Sequence, residues 1–175
     1  MLRYDNVVGI SAIIAAATFV LKYIIDSIIS ARRARIEREK LMLALYTEVS
    51  LNVRVLAEGT RTMPSFHDIS AFMAESPAKI PHFTYKYYND IYKSRSSLVV
   101  DLPDLMIKNI ISFYGSLEYI QNLIAGLEKK SFQTISQKGR ESLMIEFSSS
   151  LGEARSSGEK LMDAFRLLQP KIKAG

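Results

Sequence analysis

From residue 7 to residue 21 the chain reads VVGISAIIAAATFVL without a charged residue, and the apolar character resumes after Lys22 as YIIDSIIS to residue 30. This stretch limits the fold more than any other, because a helix that is apolar on every side must be covered by lipid or by protein. Twenty-four helical residues measure about 36 Å against a hydrocarbon core of ~30 Å, so a tilted transmembrane helix fits. Lys22 and Asp26 interrupt the run, and charges at membrane depth are costly unless paired or close to an interface. Their i,i+4 spacing places them on one helical face, an intramembrane polar pair from which Lys22 can snorkel toward the headgroups. A helix lying in the interface is the alternative. A cleaved signal peptide fits less well, since Ala15, Ala16 and Ala17 lie inside the run and a strongly basic sequence follows it.

The formal charge is +5, and its placement matters more than its size. Residues 1–40 hold seven Lys/Arg against four Asp/Glu, so +3 of the +5 sits beside the apolar run. Arg32, Arg33, Arg35, Arg38 and Lys40 outweigh Arg3 on the other side. The positive-inside rule then places the short N-terminus outside and the C-terminus in the cytoplasm, as in a single-pass protein of the inner membrane. The same flank attracts anionic lipid headgroups. Nucleic acid is not an expected partner, because the cluster is tied to the bilayer and no aromatic platform or recognition module accompanies it. The chain has no cysteine, which excludes disulfides, a thiol nucleophile and thiolate metal ligation.

Two parts follow: a membrane anchor with its basic flank over residues 1–35, and a cytoplasmic helical bundle over residues 36–175. Neither glycine nor proline occurs from Ser11 to Ala57, so the anchor helix is expected to continue as a stalk into a small all-α antiparallel bundle. Leu41, Leu45, Val49, Val53 and Leu56 recur at helical spacing, with Leu43, Leu51 and Val55 widening the face. Ser65 is the expected cap of a short helix through Glu75, with Asp68 three residues on. A second short helix is expected over residues 83–93, edged by Tyr85, Tyr88 and Tyr92, and SRSSLVV after it reads as irregular. Asp101 reads as the cap of a long helix over residues 101–130, with Met106, Ile110, Phe113, Leu117, Ile120, Ile124 and Leu127 inward. A last helix is expected over residues 138–169, carrying Leu143, Phe147, Leu151, Leu161, Phe165 and Leu168 and weakened in the middle by Gly152 and Gly158.

The chemistry-bearing residues are few. His67 and His82, the only histidines, share no ligand spacing with each other or with acidic residues, so no metal is expected. No nucleophile elbow, SxxK or phosphate-binding glycine pattern frames any serine, so no cofactor or catalytic residue is expected and the chain does not read as an enzyme. Glu48 and Asn52 lie i,i+4 on the stalk. If their face is buried against the long helix, Asn52 needs hydrogen-bond partners and Glu48 a cation or a raised pKa. With Tyr88, Tyr92 and Tyr114 they form a candidate buried polar group or partner contact, and more often such a pair fixes helix register than carries chemistry.

The pattern LxxEVxxNxxVL, here Leu45, Glu48, Val49, Asn52, Val55 and Leu56, is followed by the aromatic stretch from Tyr85 to Tyr92. Then comes LPxxxxxxIxxFY at Leu102, Pro103, Ile110, Phe113 and Tyr114. In this order the chain resembles a class of small bacterial single-pass membrane proteins with a cytoplasmic helical domain. The resemblance implies architecture and no activity. The expected function is that of a membrane-tethered adaptor or accessory subunit, binding a protein partner at the cytoplasmic face or associating with itself. Two alternatives stand beside it. One is a membrane-perturbing or membrane-sensing effector of the toxin or phage-exclusion type, acting through an oligomerised transmembrane helix. The other is an enzyme with an unrecognised site near Glu48.

Overall fold

The computed structural model describes residues 2–83 and 85–168, with side chains from residue 15 onward. Among the described residues the chain is all-helical, without a strand. The helices are α1 (Leu2–Thr62), α2 (Phe66–Glu75), α3 (Asp90–Ser94), α4 (Ser96–Val99), α5 (Asp104–Leu127), α6 (Lys130–Thr134) and α7 (Gln137–Leu168). They fall into two units, residues 1–40 and residues 41–175.

The first unit is a single helical stretch. Nothing between residues 10 and 58 breaks α1, and Arg35–Glu39 (3.1 Å) and Lys40–Glu37 (3.2 Å) brace its surface. From residue 15 to residue 38 every side chain is exposed, Phe19 at 72% and Tyr23 at 71% among them. Among the described residues no helix is long and apolar enough to cross a membrane. Of the apolar run, residues 7–14 lie outside the described side chains. The remaining stretch, residues 15–30, is shorter than the ~20 residues a span takes and carries both Lys22 and Asp26.

The second unit is a three-helix packing whose directions follow from a few contacts. Tyr119 on α5 donates a hydrogen bond to Glu146 on α7, and Phe113 on α5 reaches Gly158, so α5 and α7 run antiparallel. Val53 on α1 also meets Gly158, and Arg166 bonds the Tyr46 hydroxyl, so α1 and α7 run antiparallel as well. The core between them contains Leu45, Val49 and Leu56 from α1, Ile110, Phe113 and Ile120 from α5, and Phe147, Leu161 and Phe165 from α7, all 0% exposed. Removing each from water contributes about 1.5–3 kcal/mol. Val53 is half-buried at the edge of this core, whereas Leu43 and Leu51, expected to widen the α1 face, point to solvent.

The α2 start matches expectation, with the Ser65 hydroxyl accepting from the Asp68 amide at 3.2 Å. The α5 start does not. Asp101 lies in a turn and Pro103 is the cap, because a residue before proline is kept out of the helical region and Leu102 stays outside the helix as a buried side chain. At its other end α5 stops at Leu127, and residues 130–134 form the separate α6. Within SRSSLVV, Ser96–Val99 form the single turn α4 rather than an irregular piece.

Helix α7 is continuous through both glycines, and Gly158 explains why. A Cβ there would lie 2.5 Å from Val53 Cγ2 and 2.7 Å from Phe113 Cε2, so the glycine permits a close approach of three helices. Leu168, expected inward, is exposed at the end of α7.

The largest correction concerns residues 83–89. Residues 83 and 85–89 are non-helical, and of the expected helix only Asp90–Ser94 forms one. Phe83, Tyr85 and Tyr87 alternate, the period of an extended chain. Phe83 packs on Phe147 with ring centroids 4.7 Å apart, Tyr85 lies 6.2 Å from the same ring, and Tyr87 is buried. The helical spacing of Tyr85, Tyr88 and Tyr92 is incidental to this packing.

Candidate functional site

Two side chains one turn apart on α1 hold the 88–92 segment by its backbone. The Asn52 amide nitrogen donates to the Tyr88 carbonyl at 2.7 Å, and the Tyr88 N–H donates to the Asn52 side-chain oxygen at 2.8 Å. The amide thus substitutes for one residue of a neighbouring strand. The Glu48 carboxylate accepts from the Ile91 amide at 2.7 Å and the Tyr92 amide at 3.1 Å. These are donors of the first turn of α3, which the side chain of its own cap residue, Asn89, leaves unbonded. The capping carboxylate therefore comes from α1, forty residues away in sequence.

A third donor completes the group. The Tyr114 hydroxyl on α5 donates to Glu48 Oε1 at 2.5 Å, and the Tyr114 ring stacks on Tyr92 with centroids 4.1 Å apart and planes 4° apart. Glu48 is 3% exposed and Asn52 0%. Burial pushes the Tyr114 hydroxyl well above the ordinary tyrosine range, and its bond to the Glu48 carboxylate adds to the shift. The hydrogen-bond partners of the buried Glu48 are thus two backbone amides and a hydroxyl. The expected quintet of Glu48, Asn52, Tyr88, Tyr92 and Tyr114 is brought together. Tyr88, however, contributes its backbone while its side chain is 40% exposed.

The cluster lies behind a small cleft of about 260 Å³ lined by Tyr87, Tyr92, Lys93, Tyr114 and Glu118 among others, and Glu48 is not one of its lining residues. A larger cleft of about 620 Å³ lies elsewhere, between the end of α1, α2 and the chain at residues 80–85, with Met63, Ile69, Phe72 and Phe83 in its walls. His67 is exposed, and His82 is exposed with Nδ1 3.6 Å from Glu128 Oε1.

One buried charged residue, Arg140, has no counterpart in the sequence reading. Arg140 is 4% exposed and its Nη2 donates to the Met73 carbonyl in the last turn of α2 at 3.2 Å, a favourable place for a cation. Its Nε and Nη1, and the Tyr87 hydroxyl, have no hydrogen-bond partner among the described residues. A signal for Arg140 existed. It begins the stripe Arg140, Met144, Phe147, Leu151, Ala154, Gly158, Leu161 and Phe165, spaced four and three throughout and buried throughout.

In the first unit, Arg32, Arg33, Arg35, Arg38 and Lys40 are all exposed, with Arg35 and Lys40 each paired to a neighbouring glutamate. Lys22 and Asp26 share a face, but among the described residues neither has an ion-pair partner. No protein-family model, no curated protein and no solved structure matches the chain.

Proposed function

We propose that the chain is a membrane-tethered helical adaptor or accessory subunit, anchored by residues 1–35, whose bundle binds a protein partner at the cytoplasmic membrane face. One observation carries this proposal: Phe19, Val20, Leu21, Tyr23, Ile24, Ile25, Ile28 and Ile29 are all exposed and together cover about 280° of the helix circumference, the remainder being the side that carries Lys22 and Asp26. An apolar surface that wide takes an apolar environment over most of its girth, more than the single buried side of an interfacial helix supplies. The exposed basic flank that follows favours the orientation with the bundle inside and supplies attraction for anionic headgroups. The binding role draws support from the Glu48 group, whose oxygens are taken up in holding residues 88–92.

The test is alkaline carbonate washing of native membranes, then a mild-detergent pulldown with the full-length chain and with a chain beginning at Glu39. Resistance to washing, with one partner retained by both chains, is the expected result. A protein washed into the supernatant would overturn the tether, and the absence of a partner common to both chains would overturn the adaptor.

A further inference from the structure

The helix over residues 15–29 carries one positive and one negative group, Lys22 and Asp26, with no ion-pair partner among the described residues. At ~100° per residue, Ala15, Phe19, Lys22, Asp26 and Ile29 share one stripe, while Ala17, Val20, Ile24 and Ile28 lie opposite. The i,i+4 pairs Arg35–Glu39 and Arg155–Glu159 close at 3.1 and 2.9 Å, yet Lys22 and Asp26 at the same spacing do not. All three pairs run base-first, so order does not separate them, whereas aspartate has a shorter acidic stem than glutamate.

With the basic flank at the headgroups, Lys22 lies about 15 Å and Asp26 about 9 Å along the helix from Arg32. Lysine can reach part of the way back to the surface, but aspartate cannot, and a charge at that depth is stable when paired. Every copy of the chain carries the same flank and so inserts the same way. In two parallel copies, residues 22 and 26 fall in adjacent layers of a coiled-coil seam, about 6 Å apart along the axis and within reach of a lysine stem. The stripe is then self-complementary, because a two-fold axis forms both pairs at once.

We propose that a second copy of this chain packs in parallel on the stripe of Ala15, Phe19, Lys22, Asp26 and Ile29, with Lys22 of each copy pairing with Asp26 of the other. This rests on the reading of residues 1–35 as a membrane anchor. Because the chain has no cysteine, introduced cysteines report contacts without background. In membranes holding the full-length protein, Phe19→Cys and Ile29→Cys form disulfide-linked dimers, and Val20→Cys and Ile24→Cys do not. On the Phe19→Cys chain, Lys22→Asp or Asp26→Lys alone lowers the linked fraction about tenfold. Co-expressing these two charge variants restores it, as does combining both changes in one chain. Protein that resists carbonate but fails to link on the stripe, or links regardless of the charges, overturns the self-association and leaves the anchor standing. Protein that washes away overturns the anchor and the self-association with it.

Discussion

Residues 15–30 and 41–56 are two stretches of one helix, both rich in aliphatic residues, and they meet opposite fates. In the first the apolar side chains occupy consecutive positions and every one is exposed. In the second, Leu41, Leu45, Val49 and Leu56 follow helical spacing and are buried, while Leu43 and Leu51 between them face solvent. Helix formation does not separate the two stretches. The difference is that a stripe can be covered by two neighbouring helices, whereas an apolar surface running around most of a helix cannot.

The sharpest way to break this comparison is to remove a phenylalanine from each unit. Phe147, 0% exposed and packed on Phe83, should cost the bundle about 3–5 kcal/mol as Phe147→Ala. Phe19→Ala should change the same denaturant transition in mild detergent by less than about 0.5 kcal/mol. Comparable losses would show that residue 19 belongs to the bundle core after all. A smaller effect, about 2–4 kcal/mol, is expected for Glu48→Ala, which strands two α3 amides and the Tyr114 hydroxyl. Hydrogen exchange should then show residues 88–94 released while α5 and α7 stay protected, and uniform deprotection would contradict the local role of Glu48.

The smallest effect concerns alkaline pH. Tyr114 has its folded-state pKa raised by burial and then by Glu48, so its contribution is complete below the unfolded tyrosine pKa of about 10. It is lost as pH rises beyond that value toward the folded one, because the unfolded chain releases its proton first. Tyr114→Phe should therefore flatten the alkaline limb of the stability profile. Some slope should remain from Tyr87, whose hydroxyl is also shifted upward by burial. An unchanged limb would place Tyr114 in water.

Much of the bundle was legible from periodicity. The Met106, Ile110, Phe113, Leu117, Ile120 and Leu127 stripe is buried as spaced, and Ser65 caps α2. The start of α5 is less legible, because Asp101 and Pro103 compete as caps and the restriction that Pro103 puts on Leu102 decides for Pro103. The tyrosines at 85–88 fit two periods at once, and the long-range pairing of Tyr88 with Asn52 selects the extended one. The membership of the Glu48 group was legible, but its architecture was not. That Asn52 would bond a backbone rather than a side chain depends on which segment arrives opposite it, which local spacing does not encode. Arg140 was overlooked for the opposite reason, since its charge drew attention from an apolar stripe it plainly belongs to.

The Asn52 to Tyr88 pairing also says where the instructions for this segment are stored. The side chain asked for is an amide at position 52, and at position 88 the requirement is only an N–H and a carbonyl. Nineteen of the twenty amino acids supply both, proline alone lacking the N–H. Sequence drift at position 88 should therefore be wide and bounded by a single forbidden letter, while position 52 stays narrow. A comparison of sequences that ranks positions by how little they vary would pass over one end of this contact while finding the other.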